Sequence, residues 1–563
     1  MNNPTMMPPS LPQYDAPSYD AIVVGSGATG GVAAKTLSEQ GLKVLVLEAG
    51  PVVNPKTDLG NGPRAMAKRL HNLFVSRRQS YQSMHPGYWK ANPDLFIDEK
   101  DNPYTTPANK PFYWIRGRQV GGKSLTWGGI TLRLSDYEFK AASRDGHGED
   151  WPIAYQDLAP YYDRLEQFLQ VHGNCDRIPQ LPDGQYQSPS ELTPAEQHLK
   201  AVVESEWCDR TLIASRGFRR HQPTADTPWP RSSSQGAALQ AALDTGNVTL
   251  QSDAVVSHVS FDPSTRKARG VGYINRTTKM AHEVLGRVVI LCASTIESVR
   301  ILLHSTEQYQ PGGLQNQSGV LGRYLMDHVS TTTFFFLPGF ETPPQSFELS
   351  GSDSFFIPCF SNLDTQQEDF LRGYGLWGGI QRFDPPRAFR KVGKGAIGFL
   401  IAHGEVLPNP KNHIQLNPKV TDAWGIPVPH IDCAWSDNEQ NMLAHMNTQI
   451  NEIIHRAGGQ PMGLTDLFHI PMFANYVRKM EKIMALAAPP GYYIHEVGGA
   501  RMGTSPDNSV VNSNNQCWEA PNLLVTDGAC WTSSAWQSPT LTEMAITTRA
   551  CEQIAKDLRS GSL

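Results

Sequence analysis

The amino-acid sequence predicts an α/β protein organised around a doubly wound parallel sheet. The first observation is a strand, turn, helix and strand in immediate succession near the start of the chain. The second is a further apolar run at 288–291, which has the composition of another strand of the same sheet. Short runs that are apolar throughout are typical of parallel sheets, whose strands are covered on both faces.

The first unit is a βαβ arrangement. An apolar strand at 19–24 stops at Gly25, a helix is predicted over 32–40 and ends at Gly41, and a second apolar strand follows at 43–47. These elements form the unit from which doubly wound sheets are built.

The sequence patterns of the rest of the chain are less regular. Residues 51–110 are rich in Pro, Asn, Met, aromatic and basic residues with little periodicity, which indicates a long excursion or lid. Strand and helix patterning returns over 247–303. Beyond it we predict an aromatic-rich strand at 331–337, a helix around 437–458 and a final helix from about 541 to 558.

Composition and charge exclude several classes of protein. The 563 residues are 39% hydrophobic and 18% charged, with 48 Gly and 42 Pro, which excludes disorder and collagen. The 49 Lys and Arg against 54 Asp and Glu leave a net charge of -5, so no basic field attracts nucleic acid. No apolar run approaches the roughly 18 residues that span a bilayer, and no apolar signal core is visible, so we expect a cytoplasmic protein.

The eight cysteines are scattered, with no Cys-x-x-Cys pair and no tight cluster. This spacing argues against a zinc site, an iron–sulfur centre and a disulfide framework, so we predict no metal. Most of the cysteines are predicted to be small buried hydrophobes.

The glycine-rich turn predicts a dinucleotide site. Gly25 makes the tight turn, Gly27 lets the backbone approach a pyrophosphate, and Gly30 allows close packing of helix and strand. Glu48 follows at the end of the second strand, where a carboxylate accepts hydrogen bonds from ribose hydroxyls and disfavours NADP. This unit alone leaves FAD and NAD open. The residues predicted to bind the dinucleotide here are Gly25, Gly27, Ala28, Thr29, Gly30 and Glu48.

Further segments resemble the glucose–methanol–choline (GMC) family of FAD oxidoreductases. The segments are 117–129 and 293–303, which are similar to the two family signatures, 322–328, which is similar to the block that follows them, and the C-terminal 495–503, 525–528 and 537–542. These ordered blocks bracket nearly the whole chain. The resemblance implies FAD as the cofactor. Because Thr126 stands where pyranose oxidases carry a flavin-linking histidine, it also implies non-covalent binding.

The resemblance further implies the domain organisation. An FAD-binding domain of Rossmann type is expected from separated pieces of chain, with an inserted substrate domain of antiparallel sheet and helices, α+β overall. The predicted parts are FAD-binding domain at 18–50, lid or excursion at 51–110, FAD-binding loop at 111–135, substrate domain at 136–246, FAD-binding domain at 247–330, substrate domain at 331–489, and FAD-binding domain with the catalytic motifs at 490–563. The substrate pocket is expected at the domain boundary.

The signature segments imply which other residues bind FAD. In the family, the loop matching 117–129 lies along the isoalloxazine ring, and the acid matching Asp527 lies near the ribityl and pyrophosphate chain. Val256 matches a strand segment near the adenine, although a plain core strand explains it almost as well. The residues implied are Arg118, Gly121, Gly122, Ser124, Thr126, Trp127, Gly128, Val256, Ala293, Asp527, Gly528, Pro539 and Thr540.

The C-terminal blocks imply the catalytic residues. Alcohol oxidation by a flavin needs a base that removes the hydroxyl proton while hydride leaves the same carbon for flavin N5. His495 matches the family's base, and an ordinary histidine pKa near 6.5 suits that task. Ser538 stands where the family usually has a second His or Asn, and a serine cannot act as a base near pH 7. The base role falls on His495 alone, or a water fills the gap; His147 and His328 are predicted to be structural.

The substrate is predicted from the finer resemblance. The blocks 145–152 and 495–503 are most similar to the branch of glucoside 3-dehydrogenases, C-glycoside 3-oxidases and, more distantly, pyranose oxidases, which oxidise secondary hydroxyls of sugars. We therefore expect a sugar, glycoside or polyol. A non-sugar alcohol, a biosynthetic intermediate and a flavin-bearing subunit of a larger complex are alternatives, and the electron acceptor, whether oxygen, a quinone or a redox partner, is open. Trp377, in the aromatic stretch 354–383, is predicted to line the pocket or to be core.

Overall fold

The architecture consists of two large sheets and a small antiparallel pair of strands, β12 and β13 in the numbering below, surrounded by helices. The computed structural model describes residues 19–60, 62–340, 351–363, 366–383, 394–469, 471–486 and 488–563. The strands of these residues are β1 (Tyr19–Val24), β2 (Val44–Leu47), β3 (Ile213–Ala214), β4 (Val248–Gln251), β5 (Ala254–Asp262), β6 (Lys267–Asn275), β7 (Ala281–Leu291), β8 (Val329–Leu337), β9 (Phe355–Ile357), β10 (Tyr374–Ile380), β11 (Ala396–Gly404), β12 (His413–Thr421), β13 (Pro427–Asp432), β14 (Gln460–Met462), β15 (Gln516–Cys517) and β16 (Ala520–Val525). The helices are α1 (Ala28–Ser38), α2 (Pro63–Leu70), α3 (Pro86–Lys90), α4 (Asp136–Phe139), α5 (Ala141–Asp145), α6 (Tyr155–Leu169), α7 (Pro194–Glu206), α8 (Ala238–Asp244), α9 (Thr295–His304), α10 (Asp437–Arg456), α11 (Leu464–Leu467), α12 (Ala474–Leu486) and α13 (Thr540–Ser560).

The first sheet holds the predicted βαβ unit. Its strand order is β15-β16-β7-β1-β2-β4, with β16, β7, β1, β2 and β4 parallel and with β5 and β6 added to β7 as an antiparallel extension. Ala21 and Val23 face a cluster that includes α1 and α13, whereas Ile22 and Val24 face the larger core. Both faces of β1 are covered, which explains why it is apolar throughout. The predicted α/β fold class is confirmed.

The second sheet is antiparallel, in the order β14-β8-β11-β10-β9-β3. Helix α10 covers one face with Met442, Met446 and Ile450, whose spacing places them on one side of the helix. The opposite face of the sheet carries His403, which pairs with Ser330 of β8 on one side and with Gly375 of β10 on the other. Side chains at these paired positions project from the same face of the sheet.

Two elements differ from expectation. Helix α1 begins at Ala28, four positions before the predicted start, because Gly30 and Gly31 belong to its first turn even though glycine has a low helix propensity. Within 51–110, where no regular element was predicted, the chain forms α2, α3 and a π-helical turn at His71–Ser76.

Three further predicted elements are present in the structure. The strand expected at 331–337 is β8, the helix expected around 437–458 is α10, and the final helix is α13. All eight cysteines are free thiols. No helix in the described part of the chain is long and apolar enough to cross a membrane. The first sheet draws its strands from three separated stretches of chain; the exact domain boundaries stay a prediction.

Candidate active site

The turn between β1 and α1 is shaped by its glycines. Gly25 has a φ of +101°, and a Cβ there would lie 2.3 Å from the carbonyl oxygen of Cys292. A Cβ on Gly30 would lie 2.0 Å from the carbonyl oxygen of Gly25, so packing requires glycine at both positions. At Gly27, by contrast, a Cβ would meet nothing closer than the Gly121 oxygen at 4.0 Å. The space beside Gly27 is therefore open.

The first turn of α1 directs free amides into this space. Gly27 is the N-cap, no side chain caps the helix, and the first turn, which includes Ala28 and Thr29, has no acidic residue. Unpaired amides and the helix dipole favour an anion at such a helix end. From the facing loop, the Gly121 N–H donates to Ser26 Oγ at 3.0 Å. Gly121 belongs to the segment 117–129, called the signature loop below. The structure thus brings the glycine turn and the signature loop together.

Glu48 lies directly after β2 and is buried beside the glycine turn. Its carboxylate accepts hydrogen bonds from the Ser26 N–H at 3.1 Å, the Ser26 hydroxyl at 2.6 Å and the Gly50 N–H at 3.0 Å. Burial raises the pKa of Glu48, and the hydrogen bonds from Ser26 and Gly50 oppose that shift. The acid is therefore held at the carboxyl end of the sheet, where carboxylates bind ribose hydroxyls.

The signature loop is held in a tight 3-10 turn, Gly122–Leu125. Gly121 and Gly122 adopt positive φ values of +89° and +53°, which favour glycine. The Ser124 hydroxyl donates to the Gly121 carbonyl at 2.6 Å and stabilises the turn. The loop therefore presents backbone rather than side chains toward Gly27.

The flanks of the loop have other partners. The Arg118 guanidinium donates to Glu297 at 2.8 Å and to Asn102 at 2.7 Å. The Trp127 indole N–H donates to a backbone carbonyl at Ser232, 3.1 Å away. The Thr126 hydroxyl donates to the Lys123 carbonyl oxygen within the same loop. Gly128 follows Trp127 near the end of the loop. The predicted contacts of these residues with FAD stay predictions.

Asp527 lies buried shortly after β16. Its carboxylate accepts hydrogen bonds from the Ser298 hydroxyl at 2.5 Å and from the Ala529 N–H at 3.1 Å. Burial raises the pKa of Asp527 to about 6. Nearby Ser294, the N-cap of α9 after Ala293, has a φ of +76°, a strained value for a residue other than glycine. Such strain is typical of ligand-binding positions.

The remaining predicted FAD residues lie at element ends or in the core. Gly528 follows Asp527, and a Cβ there would lie 2.4 Å from the Thr295 hydroxyl oxygen. Pro539 is the N-cap of α13 and Thr540 is its first residue. Val256 is buried in β5, whose first residue hydrogen-bonds to the Glu48 carbonyl.

His495 is held by the residue pair Asp327 and His328, which the sequence placed in the block 322–328. The Asp327 carboxylate accepts hydrogen bonds from the backbone N–H of Gly491 at 2.6 Å and of His495 at 3.1 Å. Burial raises the pKa of Asp327 to about 7. Ile494, immediately before His495, has a φ of +65°, a strained value for a β-branched residue. Asp327 thus clamps a strained turn that aims the His495 side chain.

His328 determines which ring nitrogen of His495 is protonated. His328 Nε2 lies 2.7 Å from the Ala535 carbonyl oxygen, which can only accept, so Nε2 carries the proton. The other nitrogen, Nδ1, is then an acceptor in the neutral ring, and it lies 3.0 Å from His495 Nδ1. His495 Nδ1 must donate to it. His495 Nε2 is left with a free lone pair and has no partner among the described residues.

A third histidine, His403 of β11, completes a histidine cluster with His328 and His495. Its ring centroid lies 5.0 Å from that of His328 and 5.6 Å from that of His495. Its Nδ1 lies 2.9 Å from Ser330 Oγ, while its Nε2 has no partner within the described ranges and is not fully enclosed. The two unpartnered nitrogens therefore belong to adjacent rings.

The histidine cluster is kept neutral by its surroundings. Burial lowers the pKa of His328 to about 4. Burial also lowers the pKa of His403 and of His495 well below the usual 6.5, and the neighbouring rings add to both shifts. A neutral imidazole at neutral pH is the form that accepts a proton.

Aromatic side chains form a wall beside the histidine cluster. Trp377 of β10 lies nearly parallel to His403, with ring centroids 6.5 Å apart and an interplanar angle of 16°. Tyr493 meets His403 edge-on at 5.0 Å, and its hydroxyl pairs with Thr332 Oγ1. Phe399 packs edge-on against Trp377 at 5.1 Å. Flat apolar surface and polar groups thus lie side by side, as in sites for small organic ligands.

Ser538 lies in the same corner of the molecule. It is half-buried, between Gln537, which is fully buried, and Pro539 at the start of α13. The preceding backbone supplies the Ala535 carbonyl that His328 contacts. Its predicted catalytic role stays a prediction.

The chain matches the model of the GMC oxidoreductase family over residues 19–330 and again over 408–547. The chain belongs to the GMC oxidoreductase family. The resemblance predicted from the sequence motifs is therefore confirmed.

Relatives of this GMC oxidoreductase match along nearly its whole length. A 2-methyl-1,2-propanediol dehydrogenase of Mycolicibacterium austroafricanum is 26% identical, covering 96% of this chain and 96% of its own. The fructose dehydrogenase large subunit of Gluconobacter japonicus is 24% identical over 97% and 99%. A C-glycoside 3-oxidase of Arthrobacter globiformis is 22% identical over 97% and 96%. The solved structure of pyridoxine 4-oxidase from Mesorbium loti shares the fold at a TM-score of 0.60 and 17% identity, over 95% of this chain and 99% of that one.

Family membership decides the cofactor that the βαβ unit left open. GMC oxidoreductases are FAD flavoproteins that oxidise CH–OH groups, so this GMC oxidoreductase is an FAD-dependent enzyme acting on the hydroxyl groups of alcohols or sugars. The residues present fit FAD. The open space beside Gly27, the uncapped start of α1 and the buried Glu48 carboxylate suit a pyrophosphate and a ribose.

Three residues of the site were missed by sequence reasoning. His328 was interpreted as structural; both of its ring nitrogens are hydrogen-bonded, but one of those bonds goes to His495. Asp327 carried a usable signal, because it lies in the same matching block. His403 carried none, since it lies in an ordinary apolar strand outside every matching segment.

Proposed function

We propose that this enzyme oxidises a secondary hydroxyl of a sugar, glycoside or polyol, with His495 as the base and FAD as the two-electron acceptor. The observation that carries the proposal is the hydrogen-bond chain from the Ala535 carbonyl through His328 to His495, which leaves His495 Nε2 as a free base. A small molecule between this nitrogen and the aromatic wall would present its hydroxyl to His495.

The protein's part in the reaction follows from this geometry. The substrate hydroxyl donates its proton to His495 Nε2, and the imidazolium that forms is stabilised through its Nδ1–H bond to His328. The C–H bond of the same carbon breaks and its two electrons leave with the hydrogen, so that a carbonyl group forms. When bound, FAD supplies the electron acceptor at its N5 atom. A positioned base of this kind contributes about 10²–10⁴-fold to rate.

We propose that FAD is held in the open space beside Gly27 by the residues that the sequence motifs indicated. The glycine turn and the α1 amides would hold the pyrophosphate, Glu48 a ribose, and the signature loop the ring system. Asp527 and the residues at the start of α13, Pro539 and Thr540, would contact FAD as well. The proposed residues are Gly25, Gly27, Ala28, Thr29, Gly30, Glu48, Arg118, Gly121, Gly122, Ser124, Thr126, Trp127, Gly128, Val256, Ala293, Asp527, Gly528, Pro539 and Thr540.

The aromatic wall supports a ring-shaped polyhydroxylated substrate. Trp377 offers a flat face next to His403, and Thr332 and Tyr493 bring hydroxyl groups to the same side. Aromatic faces stack on the apolar faces of sugar rings, while hydroxyls and imidazoles bind their edges. A small vicinal diol is a second candidate, since one relative is a 2-methyl-1,2-propanediol dehydrogenase.

An anaerobic absorbance titration of the FAD-loaded enzyme tests the function. Glucose, O- and C-glucosides, polyols and 1,2-propanediol are added one at a time while the oxidised flavin band is followed. We expect glucosides or polyols to bleach the band, and His495→Ala to slow the bleaching by about 10²–10⁴-fold with FAD still bound. Bleaching by simple diols alone would move the assignment to the second candidate, and equal rates in the variant would remove His495 as the base.

The electron acceptor is tested in the same cuvette. After bleaching, air, a soluble quinone and a one-electron dye are admitted separately, and the return of the oxidised band is timed. Rapid return in air indicates an oxidase, whereas return only with quinone or dye indicates a dehydrogenase. Because one relative is named as the large subunit of fructose dehydrogenase, native mass measurements should also establish whether this chain works with a partner subunit.

A further inference from the structure

We propose that His403 is a second catalytic residue, which donates a hydrogen bond from Nε2 to the substrate oxygen while His495 removes the proton. This inference rests on the proposed function, since it concerns the same site and the same substrate. It assigns a role to a strand of the second sheet, which no matching sequence segment includes.

The position of His403 is the first argument. The residue is only 6% exposed, yet its Nε2 has no partner among the described residues and is not fully enclosed. Its ring stands 5.6 Å from that of His495, at an angle of 65°. Buried polar groups are nearly always hydrogen-bonded. His403 Nε2 has no such partner in the described part of the chain and lies beside His495, so we infer that a bound ligand supplies the missing hydrogen bond.

Hydrogen-bond complementarity is the second argument. A hydroxyl group has one hydrogen and two lone pairs. The hydrogen goes to His495 Nε2, so the lone pairs need a donor. Ser330 Oγ lies 2.9 Å from His403 Nδ1, and when the serine hydroxyl donates to that nitrogen the ring carries its proton on Nε2. His403 then presents an N–H to the substrate oxygen.

The donor acts on the charge that the reaction creates. As the O–H bond breaks toward His495 Nε2, negative charge grows on the substrate oxygen until the C–H bond breaks, its hydrogen leaves with the two bonding electrons and the carbonyl forms. An N–H aimed at that oxygen stabilises the growing charge more than the neutral alcohol. The bound hydrogen stays on His403 throughout, so its proton count does not change.

His403 also explains how a chain with serine at position 538 keeps two polar groups at the reacting oxygen. A serine hydroxyl extends one bond beyond Cβ, whereas the imidazole of His403 extends across the ring to Nε2. Its strand is fixed by pairing with β8 and β10 on both sides, so the donor sits on a rigid element.

Rapid mixing under anaerobic conditions tests the proposal on the FAD-loaded enzyme. The probe is whichever panel alcohol bleaches the wild-type flavin fastest, and the rate constant of bleaching and the apparent Kd are both taken from its concentration dependence. We expect His403→Phe to lower the rate constant by roughly 10- to 100-fold. His403→Gln should recover part of this loss because its amide N–H donates.

Two readouts separate catalysis from structure. FAD content and Tm should match the wild type in His403→Gln, and binding of the corresponding ketone, followed by the shift of the flavin band, should weaken in His403→Phe. His445→Phe is the matched control, since that histidine contacts Tyr374 on the opposite face of the same sheet, with 2.9 Å between Nδ1 and the phenol oxygen. We expect it to leave the rate constant unchanged.

The proposal is overturned if His403→Phe binds FAD and bleaches within about threefold of the wild-type rate. It is also overturned if Phe and Gln variants are equally slow with equal losses of Tm, because that pattern reports a structural histidine. If His403→Phe does not fold, Ser330→Ala decides: we expect an intermediate loss of rate, and an unchanged rate contradicts the proposal. A wild type that no alcohol bleaches would instead refute the proposed function.

Discussion

At the scale of single residues, the proposed chemistry depends on which nitrogen of His495 carries a proton. A carbonyl oxygen cannot donate, so the contact of His328 with Ala535 fixes both imidazoles in turn. The chain of bonds ends at a backbone atom and therefore offers no exit for a proton. In the proposed mechanism His328 is thus a positioning residue, and a proton received by His495 would leave by way of the substrate side.

The tautomer argument predicts the effect of replacing His328. His328→Phe should lower the rate constant of flavin bleaching by roughly 10- to 100-fold, the loss of one hydrogen bond to a charged group worth about 1.5–3 kcal/mol. His328→Asn should retain part of the rate, because its amide oxygen accepts from His495 Nδ1–H. Anaerobic rapid mixing measures both; identical rates in the two variants would argue against the tautomer.

The pH dependence follows from the lowered pKa of His495. Burial is the main cause of that shift, and His328, His403, Lys123 and His85 add to it. In the proposed mechanism the neutral imidazole of His495 is the base, so we expect activity to be lost only as the pH falls through the lowered pKa of the folded enzyme. We expect the rate constant of bleaching to stay level as the pH is lowered through 6.5. A tenfold loss per pH unit that begins at 6.5 would contradict this.

Residue types and spacing identified some of these groups but not others. His495 and Glu48 lie in or beside local sequence motifs, so the neighbouring residues identify them. The role of His328 depends on a contact with a residue 167 positions away along the chain. No local pattern reports such a contact, which is why the sequence suggested a structural histidine.

At the scale of elements, the β1–α1 turn separates the demands of folding from those of ligand binding. Gly30 touches the Gly25 carbonyl and belongs to the packing of helix on strand, whereas Gly27 borders open space. Both are glycines of one motif, but the physical reason for each differs.

Two alanine substitutions in this turn should therefore behave differently. Gly27 has a φ of −68°, which alanine adopts without strain, so Gly27→Ala should fold. Its methyl group would fill space proposed for FAD. We expect the binding free energy of FAD to weaken by about 1–3 kcal/mol, which lowers the affinity roughly 5- to 150-fold. Gly30→Ala should lower Tm and yield, since its Cβ would lie 2.0 Å from a carbonyl oxygen.

The matched control is Gly62→Ala, where a Cβ meets nothing within 4 Å. FAD fluorescence after equilibrium dialysis measures affinity, and thermal unfolding measures stability. Unchanged FAD affinity in Gly27→Ala would show that the pyrophosphate does not approach this position.

Element boundaries show where local propensity fails. The sequence placed the start of α1 at 32 because glycines disfavour helix, but the close packing of Gly30 on Gly25 outweighs that preference. Likewise, the short helices within 51–110 have little amphipathic length from which to be detected, and α3 spans five residues.

At the scale of the whole molecule, the proposed FAD site draws on residues from both ends of the chain. Ligands that bind only the folded state stabilise it by mass action, by about 4 kcal/mol at a thousandfold excess over Kd. Removal of FAD should therefore lower Tm by several degrees, and added FAD should restore it. Differential scanning calorimetry of both forms measures the shift.

The same preparation tests how the cofactor is attached. Thr126 occupies the position at which pyranose oxidases carry a flavin-linking histidine. We therefore expect acid precipitation to release the flavin into the supernatant. A yellow pellet would show a covalent link and contradict the prediction. A Tm that is unchanged after complete removal of FAD would show that the open space contributes nothing to global stability.

The features that could be predicted from the sequence alone are the βαβ unit, the glycine turn with Glu48, the family, FAD, and His495 as the candidate base. Adjacent residues or ordered motifs encode these features, because strand, turn and helix form from short-range contacts. The convergence of Asp327, His328 and His403 on His495 became visible only in the folded protein. Their meeting depends on strand register and on the packing of two sheets, and these are set by contacts between residues far apart in the chain.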